Sequence, residues 1–156
     1  MEPLSEGARP LAGLLRQAQR ADIAAIQRVR HSVRENRLVS SVITDADVQK
    51  AIETTGRGWV IETGGEVVAF AVGFSTDGNI WALFVDPAHE RRGYGRRLHD
   101  TMVAWLWQQG LDQLWLTTQP AARAQRFYET AGWKQAAITK HGEILFHLQR
   151  CAAPRP

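Results

Sequence analysis

The chain has 156 residues, 44% of them apolar and 22% charged, which suffices for a buried core in about one domain and excludes disorder along the whole length. Its formal charge of +3 is carried mostly by arginine and is spread along the chain, so without a clustered basic stripe or a recognisable module nucleic acid is not expected as a partner. The lone Cys151 excludes an intrachain disulfide and stands too far from the last residue for a prenylation box, and the apolar stretches at 67–74 and 80–85 are too short to cross a bilayer.

Residues 1–13 are rich in proline, glycine and charge and read as a loose leader, with Glu2, Glu6 and Arg9 interrupting any signal-peptide core. Residues 151–156 read as a short tail, which leaves 14–150 as one domain of a cytoplasmic protein with no membrane partner. Leu14 to Gln17 is a candidate first strand. Asp22 is placed to cap a helix running to about Asn36, with Ile23, Ile26, Val29 and Val33 on its apolar face. Thr44 and Asp47 have capping spacing ahead of a second helix bearing Val48 and Ile52, and Gly56 is its natural stop.

Trp59 to Thr63 and Glu66 to Phe74 are strand-like, with Gly64-Gly65 as the hairpin turn between them. After a turn at 76–79, Ile80 to Val85 is almost continuously apolar, as a central strand buried on both faces would be. Leu98, Met102, Trp105 and Leu106 then mark one face of an amphipathic helix closed by Gly110. A strand over Leu114 to Thr118, a helix over Ala121 to Ala131 stopped by Gly132, and a hairpin of Trp133 to Thr139 with Glu143 to Leu148 complete the chain. The order β-α-α-β-β-β-α-β-α-β-β predicts an α+β (mixed α/β) fold, with a mostly antiparallel mixed sheet flanked by helices.

The chemistry concentrates between the Ile80 strand and the helix that follows it. There Arg91-Arg92-Gly93-Tyr94-Gly95-Arg96 places two glycines at a helix start, where backbone N–H groups can converge and left-handed φ is allowed. The helix dipole and the surrounding arginines suit a phosphate or pyrophosphate. A glycine pair of this kind also fits an ordinary helix start. The loop lacks the Gly-Lys-Ser/Thr ending of a P-loop, and Leu98 stands where a dinucleotide fingerprint needs its third glycine.

Val85-Asp86-Pro87, the loop at 91–96, the amphipathic helix and the later Ala124-Gln125-Arg126-Phe127-Tyr128-Glu129-Thr130-Ala131-Gly132-Trp133 together closely resemble the GNAT superfamily of N-acetyltransferases. The resemblance covers roughly residues 14–149 and is most specific over 79–133. It implies acetyl-CoA as co-substrate, its pyrophosphate held by Arg91, Arg92, Gly93, Tyr94, Gly95 and Arg96, and its pantetheine paired with the strand at Leu83, Phe84 and Val85. It also implies that Tyr128 protonates the departing thiolate, a role that a phenol protonated at neutral pH can fill. An N–H near Phe84 or Val85 would stabilise the carbonyl oxygen.

Two positions depart from the family pattern. Glu90 stands where glutamine or arginine is usual three residues before the first glycine. Ala121 replaces an asparagine near the pantetheine, where Arg123 is a substitute contact.

The implied activity is direct transfer of acetyl to a primary amine of a small molecule, amino acid or peptide. The alternative is a non-catalytic module that binds or senses acyl-CoA. Tyr128 beside Phe127 also fits the apolar face of a helix, so the residues alone leave a core role open. Arg30, Arg34 and Arg37 make a stripe on the first helix, and Arg34 with Glu35 and Asn36 is a candidate acceptor contact. Glu35, Glu53, His141 and Glu143 remain alternatives for the general base, beside a water relay. The histidine spacing matches no metal site, so no metal is expected. A homodimer accords with the resemblance, though no residue marks an interface.

Overall fold

The computed structural model describes residues 13–33, 42–120 and 122–151. Among these residues, seven strands form two antiparallel sheets. The first has the order β1 (Leu14–Gln17), β2 (Gly56–Thr63), β3 (Glu66–Phe74) and β4 (Ile80–Val85). The second has the order β5 (Gln113–Thr118), β7 (Ile144–Gln149) and β6 (Lys134–Ile138). Helices α1 (Ile23–Ser32) and α2 (Asp45–Lys50) follow β1, α3 (Tyr94–Gln108) follows β4, and α4 (Ala122–Thr130) follows β5. The element order is the one expected. The parallel component of the sheet is a single bridge between Asn79 and Trp115, which joins the two sheets at the start of β4.

Period-two alternation along the strands divides the core into two layers. Ala69, Ala71, Leu98, Met102, Leu114, Leu116 and Phe146 pack on the side of α3 and α4. Val60, Phe70, Val72 and Ala82 pack on the other side against Ile26 and Val29 of α1 and Val48 of α2. The first sheet therefore lies between two helical layers, while the second packs on α3 and α4 through one face.

Four local expectations change. Asp22 does not cap α1: its backbone is already helical (φ −88°, ψ −6°) and its buried carboxylate serves other partners. It accepts from Gln19 N at 2.8 Å and takes both Nη groups of Arg16 at 2.9 Å, while Arg16 also pairs with Glu62 at 2.9 Å. That network ties β1 to β2 and to the start of α1, and Arg16 holds the Asp22 carboxyl below the usual carboxylate range against the opposing effect of burial. Helix α1 ends at Ser32, with Val33 extended (φ −90°, ψ 112°), short of the expected Asn36.

Gly56 is not a left-handed stop either. It opens β2 in extended conformation (φ −163°) after a π-helical turn over Ala51–Thr55. A side chain there is excluded by contact, since a Cβ on Gly56 would lie 1.9 Å from Gly73 O on β3. Finally, β4 is not buried on both faces. Ile80 and Ala82 are buried, but Trp81, Leu83, Phe84 and Val85 are only half-buried, because β4 is the edge of its sheet and borders an open cleft. The capping box of Thr44 and Asp47 is present as expected, each side chain bonding the other's backbone N–H at 3.1 and 2.9 Å. Most of the leader, all of the tail beyond Cys151, and Arg34, Glu35, Asn36, Arg37 and Ala121 lie outside the described residues.

Candidate active site

At the start of β4 the two sheets are held together by Trp115 N donating to Gly78 O at 3.0 Å and Asn79 Nδ2 donating to Trp115 O at 3.3 Å. Beyond that bridge no ladder joins β4 to β5, and a cavity of about 590 Å³ opens between them. Its walls include Leu83, Phe84 and Val85 of β4, Leu116 and Thr117 of β5, the loop before α3, and Tyr128 of α4. The register fixes what β4 presents. Asp86 N donates to Val68 O at 2.8 Å on the β3 side, so alternation along the ladder turns the N–H groups of Leu83 and Val85 away from β3 and into the cavity. Of the backbone N–H groups near Phe84 and Val85, the one turned toward the cavity is that of Val85, with Leu83 N–H one repeat behind.

The loop from Asp86 to Gly93 is shaped locally. The Asp86 carboxylate accepts from Ala88 N at 2.9 Å and sets a 3₁₀ turn over Pro87–His89. Arg91 and Gly93 then take left-handed φ values of +66° and +80°. For glycine this is free, whereas for Arg91 it costs about 1–2 kcal/mol, a strain that recurs at ligand-holding turns. Gly95 is an ordinary helical residue, and a Cβ there would meet Phe127 and Val85 in ordinary van der Waals contact at 3.7 Å.

The first intrahelical bond of α3 runs from Arg97 N to Gly93 O at 3.1 Å, which places the N–H groups of Gly95 and Arg96 ahead of any intrahelical acceptor. No side chain caps Gly93, and the space where its Cβ would stand is clear to 4 Å. With Arg91 and Arg96 on the rim, the residues present fit an anionic diphosphate.

The sequence-derived site residues divide clearly. Leu83, Phe84, Val85, Arg91, Gly93, Tyr94, Gly95, Arg96, Arg123 and Tyr128 all line this one cavity. Arg92 is exposed and does not line it. Tyr94 contributes backbone only, because its ring is buried in the core beside Ile61 and under Gly13. Tyr128 is 8% exposed, edge-on to Phe127 at 5.1 Å and to Trp133 at 5.7 Å. Burial pushes its phenol above the ordinary value, so it is a neutral hydrogen-bond donor throughout the physiological range.

Three arrangements are invisible in the sequence reading. Glu90, the departure from the family pattern, forms an ion pair with Arg123 at 3.0 Å, joining the loop before α3 to the first turn of α4 across the cavity mouth. Gln119 Nε2 lies 3.5 Å from Glu143 Oε2 on the cavity wall. Behind the anion loop, Trp133 Nε1 donates to His99 Nε2 at 2.9 Å, and His99 Nδ1 lies 2.9 Å from Asp100 Oδ1. An indole N–H only donates, so His99 must carry its proton on Nδ1 and be neutral. Burial lowers its pKa accordingly. Asp100 in turn accepts from Arg96 Nε at 3.0 Å. Spacing alone gives no signal for a pair such as His99 and Trp133, which meet only when α4 docks on α3.

Among the described residues no cluster of three or more His, Cys, Asp or Glu side chains is arranged to hold a metal ion, and no helix is long and apolar enough to cross a membrane.

A family model described as acetyltransferase (GNAT) family matches residues 21–133. A [ribosomal protein bS18]-alanine N-acetyltransferase of Haemophilus ducreyi is 31% identical over 78 residues, 48% of this chain and 54% of that protein. The chain thus spans about half the length of the curated relatives it matches. The crystal structure of the ribosomal-protein-S18-alanine N-acetyltransferase from Escherichia coli superposes with a TM-score of 0.73 at 19% identity, over 91% of this chain and 96% of that one. The PaiA N-acetyltransferase from Thermoplasma acidophilum, in complex with coenzyme A, superposes with a TM-score of 0.77 at 11% identity, over 88% and 99%. At such identities the structural likeness is one of fold.

Proposed function

Because the chain belongs to the GNAT acetyltransferase family, we propose that it is an N-acetyltransferase that moves acetyl directly from acetyl-CoA to a primary amine of a small molecule, amino acid or peptide, acting through one domain over residues 14–150. The observation that carries this reading is the convergence of the anion loop, the edge of β4 and Tyr128 on a single cavity. The amine class includes the α-amine of a protein, since the curated relatives are named for an alanine of ribosomal protein bS18.

Each wall has a part. The N–H groups of Gly95 and Arg96, with Arg91 and Arg96 side chains, hold the pyrophosphate, while the free edge of β4 pairs with the pantetheine amides. Val85 N–H faces the thioester oxygen and stabilises the charge that gathers there as nitrogen attacks. The acceptor ammonium first loses a proton to become nucleophilic. The C–N bond then forms, the C–S bond breaks, and Tyr128 donates to the sulfur as negative charge develops. A phenol raised by burial is a reluctant acid, so its proton passes to sulfur in step with the second proton leaving nitrogen. That second proton restores the phenol. The Arg123–Glu90 pair closes the side of the channel where the family usually has an asparagine.

Calorimetric titration of acetyl-CoA, with dephospho- and desulfo-CoA as comparators, followed by an amine panel with detection of free CoA, tests the reading. Micromolar binding that weakens without the phosphate, together with CoA release that depends on an amine, is expected. Binding without transfer to any amine would leave the sensing module, and absence of binding would remove both.

A further inference from the structure

The cavity has two faces, and the second one is unaccounted for by the acyl donor. Ile144 and Phe146 of β7 and Leu114 and Leu116 of β5 point toward α3 and α4. Register pairs Thr118 with Ile144, so the next positions outward, Gln119 and Glu143, stand opposite each other. Alternation puts them on the reverse face, the one that carries Phe84 and Ala82 toward α1 and α2. Their side-chain contact at 3.5 Å fits that placement. Glu143 nevertheless lines the same cavity as Tyr128. The gap between the sheets therefore runs through the molecule, from the arginine-rimmed loop on the α3 side to a mouth on the α1–α2 side.

Charge and polarity differ between the two ends. Arg91, Arg96 and Arg123 rim the first, with Glu90 engaged by Arg123. At the second, the walls are mostly apolar, Ile26, Ile43, Val48, Trp81 and Phe84 with Arg30 of α1 among them, and Glu143 is the carboxylate that the lining places there. Of the other groups considered as bases, Glu53 is bonded to Arg20 at 2.8 Å, His141 is exposed on the β6–β7 turn, and Glu35 lies outside the described residues.

We propose that this second end is the acceptor site and that Glu143 receives the acceptor's ammonium group, the apolar wall selecting amines borne on an uncharged, apolar or aromatic group. The proposal rests on the acetyltransferase reading and deepens it. A carboxylate half-buried at the mouth attracts the protonated amine and aims its nitrogen down the gap toward the thioester. The proton that the ammonium sheds before attack leaves past Glu143 to solvent, and no other co-reactant is needed. The groups that share this lining are Gln119 just after β5, Arg30 on α1 and Tyr128 on α4.

The test compares wild type with Glu143→Gln and Glu143→Asp, using phenylalaninamide and glycinamide as acceptors and hydrocinnamamide, which lacks the amine, as a competitive inhibitor. Loss of one charge-assisted hydrogen bond is expected to raise the phenylalaninamide KM about tenfold or more in Glu143→Gln, with partial recovery in Glu143→Asp. Acetyl-CoA affinity by calorimetry and the hydrocinnamamide inhibition constant should stay unchanged, which a merely structural role would not give. Phenylalaninamide should also exceed glycinamide in kcat/KM. If wild type acetylates these amines and Glu143→Gln keeps its acceptor KM within twofold, the assignment of Glu143 falls while the enzyme reading stands. If wild type binds acetyl-CoA but acetylates no amine, both fall together.

Discussion

Tyr128 is held by three aromatic neighbours, Phe127, Trp133 and Phe146, at ring separations of 5.1, 5.7 and 6.0 Å. Those contacts involve the ring, not the hydroxyl, so Tyr128→Phe removes the donor while preserving the packing. We expect kcat to fall about a hundredfold, with acetyl-CoA affinity unchanged by calorimetry. Burial raises the phenol pKa, so the wild-type rate should show no alkaline decline from Tyr128 ionisation up to about pH 10, the ordinary phenol value. An alkaline limb that vanished in Tyr128→Phe would contradict the site described here. The sequence placed Tyr128 on a helix face but left a core role open. Its burial makes it a core residue and its place on the cavity wall is compatible with the proposed donor role, so the two readings do not exclude each other.

Helix α3 shows what a local pattern reveals and what it hides. Its buried stripe of Leu98, Met102 and Leu106 is legible from spacing, as is the Gly110 stop with φ +91°. His99 reads as one more polar residue, yet it is 4% exposed and fixed by Trp133 from beyond α4. That contact has a consequence for stability against pH. The folded-state pKa of His99 lies below its ordinary 6.5, chiefly through burial, while Asp100 opposes the shift and Arg96 adds to it. The unfolded chain therefore binds the extra proton more readily. The stabilisation is complete above about pH 6.5 and is lost as pH falls through and below that value.

Urea unfolding at pH 7.5 and pH 5.5 should show a lower midpoint at the acid pH, and His99→Gln, which retains an acceptor for Trp133, should flatten the difference. The carboxyl of Asp22, held low by Arg16, loses its contribution only as pH falls below the ordinary carboxylate value near 3.8, so the two effects occupy separate windows. The misreadings at Asp22 and Gly56 have one origin. A capping aspartate and a helix-stopping glycine are inferred from neighbours in sequence, whereas Arg16 and the carbonyl of Gly73 reach these residues from other strands.

For the whole molecule the decisive feature is that two sheets meet at one bridge and then part. That parting is not legible along the chain, because an apolar strand facing a ligand channel and one buried on both sides carry the same residues, and Ile80 to Val85 reads equally well as either. The separation leaves the outward N–H groups of Leu83 and Val85 unladdered and places them beside the N–H groups of Gly95 and Arg96 at the start of α3. Amide hydrogen exchange can therefore report occupancy without any acceptor being known. Saturating acetyl-CoA should slow exchange at Leu83, Val85, Gly95 and Arg96 together. Ligand at about a hundred times its Kd should also stabilise the fold globally by about 2.7 kcal/mol. Dephospho-CoA should protect the same amides at a higher concentration, since the pyrophosphate and pantetheine contacts persist. Protection at the β1 and β6 edges with none at Leu83 and Val85 would place the donor outside the gap between the sheets. Protection at Gly95 and Arg96 alone would mean that the anion loop binds phosphate while β4 does not pair with the pantetheine, and Val85 N–H would then lose its assignment to the thioester oxygen.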